Sequence, residues 1–109
     1  MRFGLREHEI KQLTQIIFSF PEVQEAIIFG SRAMGNFKSG SDVDIAIRGK
    51  NITHEIITQI RYLLNEETLM PYFFDVVDYD QITNEDLKQH IDQFGKELLP
   101  SKPAIDVSI

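Results

Sequence analysis

Two short stretches of this chain have residue types and spacing that can do chemistry. They are Gly30-Ser31-Arg32-Ala33-Met34-Gly35 and, a short loop later, Ser41-Asp42-Val43-Asp44. Asp42 and Asp44 stand at i and i+2, and on a strand such residues share a face. Two like charges held together cost free energy unless protons or a cation offset them. The Gly-Ser turn suits the other half of such a site. Gly30 permits close backbone approach, and Ser31, opening a helix, offers free N–H groups and a hydroxyl to phosphate oxygens. Arg32 can neutralise charge on a triphosphate or a leaving pyrophosphate. A third carboxylate, Asp75, lies in the apolar stretch Tyr72-Phe73-Phe74-Asp75-Val76-Val77. A lone charge there is expensive unless it is paired or bound to a cation. If the two strands are neighbours, the three carboxylates can converge. Their oxygens suit Mg²⁺, and two such ions can clamp the attacking and leaving oxygens of a phosphoryl or nucleotidyl transfer.

Plainer readings compete at each position. Asp42 and Asp44 could sit on a solvated strand edge, but the Gly-Ser turn before them favours the metal reading. Asp78 competes with Asp75 for the third ligand, from the opposite strand face, so at most one of them can point into the site. The more apolar surroundings favour Asp75. Arg32 could instead pair with a nearby carboxylate. His8, His54 and His90 fall on expected helices with no partner at metal-ligand spacing and read as surface or helix-end residues. Ser31 has no His or Lys at a triad-like spacing, which argues against a serine nucleophile.

Hydrophobic periodicity supplies the elements that must position these residues. Leu5, Ile10, Leu13, Ile16, Ile17 and Phe20 recur at helical spacing up to Pro21. Val23 to Phe29 is a β-branched, buried-type strand stopped by Gly30. Residues 31–36 form a short helix or turn and 38–41 a loop. Asp42 to Arg48 alternates, with Val43, Ile45 and Ile47 on one face and Asp42, Asp44 and Ala46 on the other. Thr53 can cap a helix whose inward residues are Ile56, Ile57, Ile60, Leu63 and Leu64. A strand runs from Tyr72 to Val77. Thr83 or Asn84 caps a last helix with Leu87, Ile91, Phe94 and Leu98 inward. Gly95 interrupts that pattern and marks a fray or a close approach. The expected fold class is a small α/β (α+β) domain over residues 1–99, a mixed sheet of three or four strands with helices mainly on one face, followed by a loose tail over 100–109.

The combination of the Gly-Ser-Arg turn, the Asp42-Val43-Asp44 spacing and a later strand carboxylate, Asp75, resembles the signature of the DNA polymerase beta-like nucleotidyltransferase superfamily. The compact length is similar to its minimal nucleotidyltransferase branch. The resemblance implies a nucleotidyltransferase fold and an MgATP donor. It implies that Asp42 and Asp44 bind two Mg²⁺ ions, and that Asp75 completes the catalytic metal site and promotes attack by an acceptor hydroxyl. Gly30 and Ser31 would hold the β- and γ-phosphates, with Arg32 and Ser41 also in the nucleotide-binding set. Met34 departs from a frequent form of the motif that has a second basic residue there; Lys38 could supply that charge. Minimal members are similar to antitoxins encoded beside an all-helical HEPN-type partner, on which, in some pairs, AMP is transferred to a tyrosine.

Composition narrows the remaining function classes. The chain has 109 residues, 42% hydrophobic and 26% charged, enough to fill one core. It has no cysteine, which excludes thiolate metal sites and thiol catalysis. A net charge of −6 disfavours broad nucleic-acid binding and a polymerase fragment, while a nucleotide held through a metal stays allowed. No apolar run is long enough for a membrane span and no secretion signal is evident, so a cytoplasmic location is expected. The leading expectation is AMP transfer from ATP to a hydroxyl on a HEPN-type partner. The alternative is a non-catalytic module that neutralises a helical partner. Oligomeric assembly is left open by the sequence.

Overall fold

A computed structural model describes residues 1–100; the expected loose tail falls almost wholly outside the described residues. The chain runs α1 (Glu7–Ile17), β1 (Val23–Phe29), α2 (Ser31–Met34), β2 (Val43–Gly49), α3 (His54–Glu66), β3 (Phe74–Asp78), a 3₁₀ turn (Tyr79–Gln81), α4 (Glu85–Phe94) and β4 (Lys96–Leu98). The four strands form one mixed sheet in the order β3-β2-β1-β4. β1 pairs antiparallel with both β2 and β4, and β2 pairs parallel with β3. The parallel pair needs a long crossover, which α3 supplies.

Side-chain alternation divides the sheet into two faces. Ala26, Ile28, Val43, Ile45, Ile47, Phe74, Val76 and Leu98 join Ile10, Leu13 and Ile17 of α1 and Ile57, Ile60 and Leu64 of α3 in the main core. The other face is not bare: Phe29, Ala46, Tyr79 and Ile91 make a second, smaller core under α4. Helices therefore lie on both faces rather than mainly one. The caps follow from side-chain acceptors. Thr53 Oγ1 accepts from the Ile56 N–H at 3.1 Å, and Asn84 Oδ1, not Thr83, from the Leu87 N–H at 3.1 Å.

Several expected boundaries differ. α1 stops at Ile17, short of Pro21, and the third strand is Phe74–Asp78 rather than Tyr72 to Val77. Leu5 is not helical; it pairs with Arg2 in a tight turn that precedes α1. The last helix does not continue to Leu98. It stops at Phe94, and Leu98 reaches the core from β4, opposite Ala26. Gly95 sits at that corner, where a Cβ would come 2.4 Å from the Ile91 carbonyl oxygen and 2.6 Å from Ile27 Cγ2. Close approach is thus the reason for this glycine.

β3 is an edge strand, and three of its outward main-chain groups are occupied by side chains of α3. Asn65 of α3 donates to the Phe74 carbonyl at 2.9 Å and accepts from the Phe74 N–H at 2.8 Å. The Arg61 guanidinium donates to the Val76 carbonyl at 2.7 Å.

Candidate active site

β2 and β3 bring two of the carboxylates together by register. Asp44 pairs with Asp75 across the parallel ladder, and on its other side Asp44 faces Phe29, the last residue before the Gly30 turn. Both lie half-buried on the face opposite the main core. Asp42 is exposed, at the mouth of β2. Burial, then repulsion from Asp75 and from Asp42, pushes the Asp44 carboxyl above the ordinary carboxylate range. Asp78 does not compete for this place: it lies three residues further along β3 and its carboxylate accepts from the Asp80 N–H, capping the 3₁₀ turn.

The Gly30 turn is shaped around Asp44. Gly30 has φ +75° and ψ −155°, a region open essentially to glycine alone. A Cβ there would lie 2.5 Å from Asp44 Oδ2. The missing side chain is what lets the carboxylate reach the turn. Ser31 follows as the first residue of α2, half-buried beside the site. The Gly30 N–H is already engaged, donating to His90 Nε2 of α4 at 3.0 Å. His90 is therefore neither a free surface residue nor a helix-end one. It stands four residues before Phe94 and next to the inward Ile91, and that helical spacing is the one sequence signal that places it at the margin of the buried face.

Arg32 does not do what its type suggested. Only 2% of its surface is exposed, and among the described residues it forms no ion pair with a carboxylate. Its Nε and Nη2 donate to the Ser41 carbonyl at 3.1 and 2.8 Å, Nη1 donates to the Phe3 carbonyl at 2.8 Å, and Nη2 reaches the Ser39 carbonyl at 3.4 Å. The guanidinium also lies 5.0 Å from the ring centres of both Phe37 and Tyr72. With four of its five N–H donors directed at main-chain carbonyls and its surface buried, it fixes the loop that delivers Asp42. Ser41 belongs to the same clasp, because its Oγ accepts from the Lys38 N–H at 2.9 Å. Phe3, at φ +59°, and Gly4 close the clasp from the N-terminal turn.

The donor chemistry fits a divalent cation: hard carboxylate oxygens, with mutual repulsion that a cation would relieve. Among the described residues, no group of three or more Asp, Glu or His side chains is drawn close enough to hold a metal ion. The groove of about 570 Å³ between α3 and the end of β3, lined by His54, Arg61 and Asp78 among others, contains none of Gly30, Ser31, Asp42, Asp44 and Asp75.

Residues 11–104 match the family described as polymerase beta, nucleotidyltransferase. The chain belongs to that family. Its nucleotidyltransferase fold recurs in solved structures. One is a toxin–antitoxin crystallised with AMP-PNP, 24% identical, with TM-score 0.68 over 90% of this chain and 76% of the other. A second is the complex of tri-AMPylated Shewanella oneidensis HEPN toxin with MNT antitoxin, 18% identical, with TM-score 0.67 over 89% and 74% of the two chains. A third is the toxin–antitoxin MntA-HepT, 18% identical, with TM-score 0.66 over 88% and 74%. No curated protein matches the sequence. In this nucleotidyltransferase no helix is long and apolar enough to cross a membrane, among the described residues.

Proposed function

We propose that this nucleotidyltransferase moves AMP from ATP to a hydroxyl on a helical, HEPN-type partner protein, as the antitoxin of a cytoplasmic toxin–antitoxin pair. The observation that carries the reading is the in-register pairing of Asp44 with Asp75 beside the Gly30-Ser31 turn in a chain of this family. The similar folds of complexes holding AMP-PNP or an AMPylated toxin support ATP as donor and a protein as acceptor.

Asp42, Asp44 and Asp75 would hold Mg²⁺. When bound, two such ions would offset charge on the attacking and leaving oxygens. Ser31 offers its hydroxyl to the triphosphate, and the Gly30 turn gives close approach beside Asp44. Asp75 orients the acceptor hydroxyl and takes its proton. The new O–P bond forms at the α-phosphorus as the bond to the β-phosphate oxygen breaks, and pyrophosphate leaves with that electron pair.

The test uses the protein encoded beside this chain, labelled ATP and Mg²⁺, with the products weighed by mass spectrometry. One or more AMP additions on a partner hydroxyl are expected. Asp75→Asn should abolish labelling and leave complex formation intact, because losing one half-buried carboxylate removes the site's chemistry and alters little of the protein's surface. A stable complex with no label from the wild type would convert the reading to a pure binding module. Neither complex nor label would remove the toxin–antitoxin reading.

A further inference from the structure

His90 connects the last helix to the donor turn across sixty positions of sequence, and the mechanism above does not use it. Its Nε2 accepts the Gly30 N–H at 3.0 Å. An accepting Nε2 means a neutral ring with its proton on Nδ1. The ring is not free to leave. It stands edge-on to Phe29, with centroids 6.3 Å apart and planes at 75°, and lies against Phe94 at 5.5 Å. Gly30 is held at its other end too, because its carbonyl accepts the Met34 N–H at 3.2 Å. The peptide groups on both sides of a residue at φ +75° are thereby tied, one to α4 and one to α2. The space where a Gly30 Cβ would stand is the space used by Asp44 Oδ2. Rotation of the Gly30 peptide would therefore displace the carboxylate, the Ser31 hydroxyl, or both.

We infer that His90 is a positioning residue of the donor site, holding the Gly30 amide so that Ser31 and Asp44 are set for nucleotide before it arrives. This inference rests on the proposed nucleotidyl transfer for its effect on rate, but not for the hydrogen bond itself. α4 then serves as the back wall of the site as well as a cover for the second core.

Two variants of the full chain separate acceptor from filler. His90→Gln keeps an acceptor oxygen at a reach similar to Nε2. His90→Leu keeps apolar bulk and removes the acceptor. In the wild type, the imidazole ¹⁵N spectrum should show Nε2 unprotonated, and the Gly30 amide should be protected from exchange. His90→Leu should shift and deprotect that amide and raise the KM for MgATP roughly 10- to 100-fold, the range seen when an outer partner of a site residue is removed. It should change kcat less. His90→Gln should restore both signals. Equal losses in the two variants would make His90 a space-filler and overturn the inference. So would an unchanged Gly30 amide in His90→Leu, or a wild-type ring with its proton on Nε2. If His90→Leu does not fold, the wild-type tautomer and the His90→Gln rescue still decide. If the wild type transfers nothing, the proposed function fails, while the amide signal and calorimetric MgATP affinity continue to test His90.

Discussion

Replacing Arg32 by lysine keeps the positive charge and removes the fork. The clasp around Arg32 has two principal anchors that lie in different parts of the chain, the Ser41 carbonyl and the Phe3 carbonyl, both within 2.8 Å of a guanidinium nitrogen. A single ammonium cannot reach both. Net loss of one hydrogen bond to a charged group costs about 1.5–3 kcal/mol, and loss of a guanidinium stack on a desolvated ring adds about 1–2 kcal/mol. Arg32→Lys should therefore destabilise the fold by about 3 kcal/mol. For a domain of this size each kcal/mol lowers Tm by about 4–8 °C, so a fall of roughly 12–24 °C is expected by scanning calorimetry in nucleotide-free buffer. A phosphate-binding arginine would behave in the opposite way, with an unaltered melt and weaker MgATP binding. An Arg32→Lys protein that melts with the wild type would refute the clasp.

Asp44→Asn tests the electrostatics of the site. Because the folded-state pKa of Asp44 is raised, its contribution to stability is fully present below the unfolded value of about 3.9 and is lost as pH rises through the higher folded value. Metal-free Asp44→Asn should thus melt above the wild type at neutral pH, by relief of a buried charge and then of a screened repulsion, on the order of 1 kcal/mol together, with the gap closing in melts run toward pH 4. Added MgATP should reverse the ranking, since only the wild type gains binding energy; a neutral-pH melt at or below wild type without metal would contradict the repulsion. Gly30→Ala should cost about 1–3 kcal/mol through its backbone conformation and also weaken MgATP binding, because the new Cβ takes the place of Asp44 Oδ2; calorimetric binding indistinguishable from wild type would show that the turn need not be empty.

How much of this was legible depended on whether the deciding interaction was local. Val23–Phe29 was readable to the residue because a β-branched run lies between Pro21 and Gly30. β2 was readable within one residue because Val43, Ile45 and Ile47 alternate with Asp42 and Asp44 along it. The identities of Asp42, Asp44 and Asp75 were visible, and so was the chance that two strands would join them; the parallel register that pairs Asp44 with Asp75 was not. β4 was hidden because Leu98 falls four residues after Phe94 and so continues a helical stripe, although Gly95 fits the corner only without a side chain. Arg32 misled because its type favours phosphate, and its actual partners are main-chain carbonyls that no side-chain pattern announces. The spacing of His90 with Ile91 and Phe94 hinted at burial, but its contact was hidden for the same reason: its partner is an amide sixty residues away.

The occupied outer edge of β3 bears on how another protein can meet this one. A sheet edge is ordinarily an open invitation to strand addition. Here the Phe74 N–H and carbonyl are both taken by Asn65, and the Val76 carbonyl by Arg61. At the far end, β4 is three residues long and its Lys96 and Glu97 are exposed. A visitor arriving with an extended segment finds few vacant rungs on either side. Recognition is left to side-chain surfaces, which can be altered one residue at a time without disturbing the sheet. The same plugging guards a small acidic domain against stacking edge-to-edge with copies of itself.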